Sequence, residues 1–461
     1  MISTKTVVVL GAAYGGPRAA QVLAAGIPQG WRVLLVDRNS HMNNIYIFPR
    51  LAVLPGHEHK AFIASHKIFL TEEPPLLHRR LQASVTSINQ KFITLSRSFP
   101  EHDLPTETVP FDYLIYALGS HLPAPLNLWD PAPSKPGKGR QLPVYHGMKS
   151  EGIAWMQEHQ KIVEDAPTVL VVGGGALGIQ KTPEFATDIA SVHPTKKVTL
   201  LHSRRRLLPR FDEEMHTEIL SHIEGVDNID VILGERLDLS SVNEESGKTN
   251  EHGQRVVRTI SGREIAADLI VRSVSAGATF QTLLCTGQTP NTGLLKELDP
   301  ATVNPTDSLA HVLRTMQLGV LSAPPTSTGE LAAVLNQVSL SDESLEEPKK
   351  ETTPYPHMFV IGDAADAFGA IPAGHNAYYQ GEVAARNIIR LIKKSEGIED
   401  EPLELYSPGP PRIKVSLGLG KAVFQSGDMV GHRTGDPDDL GAAQMWPLFG
   451  INITDDDQMY E

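Results

Sequence analysis

The 461-residue chain is long enough for about three domains of ordinary size, and at 41% hydrophobic and 21% charged residues it matches a globular protein with a full core. A net charge of -13 leaves no basic surplus to neutralise phosphates, which argues against a nucleic-acid partner. One cysteine, Cys285, rules out an internal disulfide framework, a Cys-ligated zinc or iron–sulfur site, and paired-thiol redox chemistry.

In chain order, Thr6–Leu10 (TVVVL) is an apolar strand that runs into the glycine-rich Gly11–Gly16, and Arg18 to Ala25 reads as the helix behind it. A second strand, Arg32–Val36, ends at Asp37. Strand Asp112–Tyr116 leads into Ala117-Leu118-Gly119-Ser120, and the Pro-, Gly- and Lys-rich stretch from Pro123 to Pro143 reads as a surface loop. The opening pattern then returns: strand Thr168–Val172, turn Gly173–Gly178, strand Lys197–Leu201. Two copies of one βαβ unit carry more information than either alone.

Two stretches interrupt that second unit. Pro183 falls near the first turns of the helix after Gly178, and excising Lys181–Glu184 leaves a smooth helical pattern. Excising Val271–Thr282 likewise joins two halves of one buried strand. Local insertion and an ordinary loop are equally open readings. Residues Ser322–Thr353 are expected to form a flexible insertion, ending in the charged run Asp342–Glu351. Strand Met358–Ile361 meets Gly362-Asp363, and a helix is expected from Ala377 to about Lys393. Short strands at Arg412–Ser416 and Lys421–Gln425 follow, and the acidic tail Asp455–Asp457 is expected to fray.

The turn Gly11-Ala12-Ala13-Tyr14-Gly15-Gly16 sits between a strand and a helix, where backbone N–H groups can cradle a dinucleotide pyrophosphate. Ala13 replaces the usual middle glycine. Asp37, next to Arg38, stands at the strand end where a carboxylate accepts ribose hydroxyl hydrogens. The second turn, with Gly173, Gly175, Ala176, Leu177 and Gly178, keeps all three glycines of the dinucleotide pattern. Its next strand ends in Leu201-His202-Ser203-Arg204-Arg205-Arg206, with no acid at the ribose position. Arginines there suit a 2′-phosphate, which favours NADPH modestly and leaves NADH open. Gly362 lets the backbone approach a cofactor, and Asp363 suits a ribitol hydroxyl.

No catalytic triad, carboxylate pair or metal-ligand spacing stands out, and His41, His57, His59, His202 and His375 read as ordinary surface or core histidines. Hydride transfer between two cofactors needs none of these groups. Phe424 and Trp446 are apolar candidates for an acceptor pocket, with core packing the better reading of each.

The segments VVVLGAAYGG, LLVDRNSHMNNI, YALGS, VVGGGALGIQ, VTLLHS, LLCTGQTPNT and VIGDAADAFG resemble the apoptosis-inducing-factor-like and ferroptosis-suppressor family of two-dinucleotide-binding-domain flavoproteins, and more distantly the type II NADH dehydrogenases. The resemblance runs from Val7 to about Gly431. It implies an α/β protein with two Rossmann-like domains, for FAD and NAD(P), and a small C-terminal α+β domain. Residues 1–145 and 291–400 would bind FAD, 146–290 would bind NAD(P)H, and 401–461 would form the C-terminal domain and tail.

Carried over by motif, FAD contacts fall on Gly11 to Gly15, Arg50, Val85 and Asp363, and Ala117, Gly119 and Gly287 are further cofactor-binding candidates. Leu118 loses the hydroxyl of the family's Ala-Thr-Gly turn, and Gln180 stands where relatives often carry Glu. The implied reaction passes a hydride from nicotinamide C4 to flavin N5 and then to a quinone or other small acceptor. Ile2 and the Met-Tyr-Glu end encode no lipid anchor, and no apolar run of about 18 residues spans a membrane. A cytoplasmic protein is expected, with peripheral membrane contact and a homodimer left open. Rival readings are a slowly turning redox-sensing protein that binds FAD and NADH, a biosynthetic flavin oxidase or monooxygenase, and a protein whose NAD(P) part is broken by the two interruptions.

Overall fold

A computed structural model describes residues 4–70, 77–121, 127–129, 142–173, 176–242, 248–272, 289–321 and 353–461. The strands that place the site are β1 (Lys5–Leu10), β2 (Trp31–Asp37), β3 (Arg79–Gln82), β4 (Tyr113–Tyr116), β5 (Thr168–Gly173), β6 (Lys197–His202) and β7 (Ile229–Leu233). They continue with β8 (Leu269–Arg272), β9 (Gln317–Leu318), β10 (Tyr355–Val360), β11 (Arg412–Ser416), β12 (Lys421–Ser426) and β13 (Met429–Thr434). The helices are α1 (Gly15–Gly26), α2 (Lys149–Asp165), α3 (Ala176–Val192), α4 (Glu213–Glu224), α5 (Gly293–Leu298) and α6 (Gly374–Ser395).

The first sheet has the order β9-β10-β4-β1-β2-β3, parallel except for β9. Val7 to Leu10 are all buried, because a parallel strand with helices on both faces has no polar side. Burying each such valine or leucine contributes roughly 1.5–3 kcal/mol. Strand β10 arrives from far along the chain and pairs with β4, so two distant stretches complete one sheet. Helices α1 and α6 pack backbone to backbone. A Cβ on Gly381 would lie 2.5 Å from the Gly15 carbonyl oxygen, so a side chain there would push the helices apart.

The second sheet, β7-β6-β5-β8, is also parallel and repeats the opening unit. Helix α3 runs unbroken through Lys181–Glu184, with Pro183 inside it. The Thr187 hydroxyl lies within hydrogen-bond reach of the Pro183 and Glu184 carbonyls, at 2.8 and 3.0 Å. Thus the first interruption costs no break in the helix. At the second, β8 runs as far as Arg272, and the rest of that stretch lies outside the described residues, as does most of Ser322–Thr353.

The C-terminal sheet is an antiparallel β11-β12-β13 ribbon, whose third strand the sequence reading missed. The short helices beyond it are 3-10 turns, Ala442–Phe449 and Asp456–Tyr460. The tail does not fray. Met459 is fully buried, Tyr460 stacks on His59 at 3.7 Å, and Lys60 pairs with Asp456 at 2.5 Å. Lys149 holds the Met459 carbonyl at 2.6 Å.

Candidate functional site

Strand β1 ends at the carboxyl edge of the first sheet, and the chain turns there at Gly11 with φ +97°. A Cβ on Gly11 would sit 2.3 Å from the Ala117 carbonyl oxygen. The turns after β1 and β4 therefore meet only because Gly11 has no side chain. Gly16 is buried directly behind it, where a Cβ would lie 1.8 Å from the Gly11 oxygen. Among the described residues no side chain caps the N-terminus of α1, which leaves its first N–H groups for an anion.

Those turns line a cavity of about 520 Å³. It brings together Gly11, Ala12, Ala13, Tyr14, Gly15, Asp37, Arg38, Val85, Ala117, Gly119, Gly362 and Asp363 from the sequence reading. Asp37 accepts hydrogen bonds from the Ala12 N–H at 2.6 Å and the Asn39 N–H at 2.7 Å, which fixes its carboxylate at the mouth. Arg38 lies over the Trp129 ring at 4.2 Å, and Asn39 accepts from Trp129 Nε1 and the Tyr145 hydroxyl. His41 also lines this end, where burial holds its imidazole down at about 3, so it stays neutral.

At the other end Gly362 turns with φ +74°, its N–H donating to Gln380 Oε1 at 2.7 Å. The Ser120 hydroxyl donates to Asp363 at 3.0 Å. Ser120 was not singled out from the sequence. It supplies a hydroxyl two residues beyond Leu118, where the family turn would carry one. Tyr46 accepts from the Gly374 N–H at 2.6 Å, and burial pushes its phenol up to about 12.

Arg50 lies elsewhere. It is fully buried, bonds the Gly418 and Asp438 carbonyls at 2.7 Å each, and pairs with Asp188 of α3 at 2.8 Å. Its side chain forms a clamp within the protein, and Arg50 is not among the residues that line the cavity.

In the second unit, β5 ends at Gly173 and the backbone of Ala176, Leu177 and Gly178 opens α3. Gly175 and Gly287 lie outside the described residues, as does Cys285. His202 is buried at the end of β6 with Nδ1 donating to the Gly173 carbonyl at 2.9 Å. Arg204 and Arg205 are exposed just beyond it, and Arg206 bonds the Phe211 carbonyl.

A second cavity, of about 530 Å³, adjoins the first. Tyr46, Pro372 and Ala373 line both. Its other walls come from α3, α6 and the C-terminal sheet, and include Glu184, His375 and Phe424. Trp446 is core instead, fully buried with Nε1 donating to the Lys60 carbonyl. Glu184 went unnoticed in the sequence, and it is the α3 carboxylate that reaches this cavity, accepting from the Ser416 N–H at 2.9 Å. Moving the excised window by one residue, to Gln180–Pro183, leaves Gly-Ile-Glu-Phe-Ala and would have put an acid where Gln180 stood.

Residues 5–304 match the pyridine nucleotide-disulphide oxidoreductase family. The chain belongs to that family. It is an NAD(P)H-dependent flavoprotein oxidoreductase, with FAD and NAD(P)H as cofactors. The glycine cradle, the uncapped α1 and Asp37 fit such a dinucleotide. The chain is 37% identical to Fe-regulated protein 8 of Mycosarcoma maydis, over 98% of this chain and 96% of that one. It is 24% identical to human ferroptosis suppressor protein 1, over 92% and 90%. The solved sulfide:quinone oxidoreductase of Aquifex aeolicus shares the fold at TM-score 0.58 and 14% identity, over 98% and 94%. With one cysteine, this member of the disulphide oxidoreductase family has no thiol pair of its own.

Proposed function

We infer that the protein carries out NAD(P)H + H+ + quinone → NAD(P)+ + quinol, with NADPH preferred as donor and a quinone or similar small molecule as acceptor. The observation that carries this reading is the pair of cavities that share Tyr46, Pro372 and Ala373. One has the dinucleotide cradle; the other opens between α3, α6 and the C-terminal sheet. A planar substrate there would lie next to the flavin end of the first cavity.

FAD, when bound, supplies the two-electron relay, so no protein acid or base is required. The chain's own residues bind and orient. The Gly11–Gly15 amides and the α1 N-terminus would hold the pyrophosphate, Asp37 the adenosine ribose, and Asp363 the ribitol chain. Gly173 and the α3 N-terminus would hold the nicotinamide dinucleotide, with Arg204 and Arg205 near its 2′-phosphate. Tyr46 stays a neutral phenol at working pH and helps to close the wall between the cavities. The names of the human and Mycosarcoma relatives add no acceptor; the quinone rests on the family resemblance and on the apolar residues of the second cavity.

An anaerobic titration of the flavin-loaded protein with NADPH and with NADH, read as bleaching of flavin absorbance, tests the donor half. Reoxidation of the bleached protein by menadione tests the acceptor half. A bound flavin that neither nucleotide bleaches sinks this reading and favours the rival in which the second unit is impaired.

A further inference from the structure

We propose that the C-terminal residues Asp455–Glu461 are a strap that positions the Arg38–Asn43 wall of the first cavity, so that FAD is held partly through the chain end. This rests on the reading above, that the first cavity holds FAD. Arg38, Asn39, His41 and Asn43 all line that cavity, directly after Asp37. Two segments back this wall from outside. In the first, Met42 and Asn43 pair antiparallel with Ile63 and Phe62, just beyond the 3-10 turn Glu58–Ala61. The Asn44 N–H donates to the Ala61 carbonyl at 2.8 Å, and the His41 ring meets the Phe62 ring edge-on at 5.1 Å. The second is the entry to α2, where the Gly147 carbonyl accepts from the Ser40 N–H at 2.7 Å. The two segments touch: a Cβ on Gly152 would lie 2.7 Å from the Phe62 ring.

The tail is bonded to both segments. On the first side Tyr460 lies flat on His59 at 3.7 Å, and Asp456 pairs with Lys60 at 2.5 Å. On the second, Lys149 donates to the Met459 carbonyl at 2.6 Å and to the Glu461 main-chain oxygen at 2.5 Å. Met459, between these contacts, is fully buried. Trp446 ties the same two segments, donating to the Lys60 carbonyl while Lys149 lies over its ring at 5.0 Å. Asp455 accepts from the Asp457 N–H at 2.9 Å and so shapes the last turn. Lys149 also stands close to the cavity wall: after burial, its charge and that of Arg80 help to lower the His41 imidazole.

A wall that is ordered before the ligand arrives spares the ligand the entropy of ordering it. The strap supplies that order by fastening the two backing segments to each other. Without it the Met42–Asn43 pairing and the Ser40–Gly147 bond remain, so the wall would loosen rather than collapse. The second dinucleotide turn belongs to the other sheet, so binding of NADPH should not follow the tail.

The test follows release of FAD from the holoprotein, as the flavin fluorescence that returns on dilution. Deleting Asp455–Glu461 should speed release about tenfold, and Tyr460→Ala about threefold, with the Kd for NADPH unchanged. A tail that serves stability alone would lower Tm and leave the release rate of folded holoprotein as it was, which overturns the proposal. Parallel loss of NADPH binding overturns it too, because the damage is then general. If the shortened chain does not fold, Tyr460→Ala and Lys149→Met decide: faster release in either upholds the strap, and unchanged release in both removes it. Amide hydrogen exchange at Arg38–Asn43 separates the strap from the FAD reading. If Gly11→Val keeps its full flavin, that reading falls by itself. Faster exchange in the apoprotein of the tail variants then still upholds the strap's hold on the wall, and unchanged exchange sinks it.

Discussion

The two glycine-rich turns are copies of one device, yet they differ at the strand that follows each. After the first, β2 ends in Asp37, whose carboxylate is pinned by the Ala12 and Asn39 N–H groups. After the second, β6 ends in buried His202, pinned by the Gly173 carbonyl, with Arg204 and Arg205 exposed beyond it. In the proposed reading the glycine-rich turn holds the pyrophosphate in both cases. The strand end decides which ribose is welcome: a carboxylate repels a 2′-phosphate, and arginines attract one. A fold can thus duplicate its phosphate cradle and set its coenzymes with a handful of residues elsewhere.

The largest effect should come from breaking the first turn. Gly11→Val puts a branched side chain at φ +97°, into the Ala117 carbonyl oxygen. The cost is about 3 kcal/mol or more, from strain and from the displaced turn. The variant should purify without flavin, by the ratio of visible to ultraviolet absorbance. Full flavin content would mean that the cavity is not the FAD cradle.

Next comes the clamp between the two units. Arg50 precedes α2 in the chain and Asp188 lies on α3, so their pair ties the first unit to the second and, through Gly418 and Asp438, to the C-terminal part. Removing one partner alone, as in Arg50→Met, strands a buried charge and should cost about 3–5 kcal/mol, whereas Arg50→Met with Asp188→Leu should cost much less. Urea melts of the two variants would show the difference, and equal losses would refute it. Burial raises the Asp188 carboxyl to about 6 from 3.8, against the opposing pull of Arg50. The folded state therefore keeps this proton to higher pH than the unfolded chain. That contribution is complete below about 3.8 and is lost as pH rises through about 6. Asp188→Asn should flatten this part of the stability profile, read as Tm against pH.

Third is coenzyme choice at the second strand end. Arg204→Ala with Arg205→Ala should lower the NADPH-to-NADH ratio in kcat/KM about tenfold, the worth of a charge-assisted contact to phosphate. An unchanged ratio would leave these arginines as surface residues and reopen NADH as the donor.

These contrasts also mark how far the sequence could be read. Both cradles were legible, since Gly-rich turns between an apolar strand and a helix have few other uses. Twelve of the residues named from motifs gather in one cavity. The Arg50 clamp was not legible, because family position says where a segment runs and not where a long side chain ends. Glu184 was hidden because Pro183 makes the residues around it read as an interruption, whereas the helix runs through them. An acidic chain end reads as frayed from sequence. What docks it is Met459 in the core and the partners Lys60 and Lys149, which lie hundreds of residues away and leave no local pattern. The second cavity was illegible for the same reason: its walls come from α3, α6 and β11, and only folding brings them together.

The smallest expected effect sharpens the first cradle rather than breaking it. Leu118 lacks the hydroxyl of the family turn, but Ser120 donates to Asp363 at 3.0 Å from two residues further on. If that bond holds the carboxylate ready for the ribitol, Ser120→Ala should weaken FAD binding by about 1–2 kcal/mol, roughly tenfold in Kd, because the bond is to a charged acceptor. Ser120→Thr keeps a hydroxyl and should restore most of the affinity. A purely structural role would instead lower Tm in both variants and leave the Kd of properly folded protein alone. Fluorescence quenching of FAD on titration with apoprotein separates the two, since it reads the carboxylate's readiness and not the fold around it.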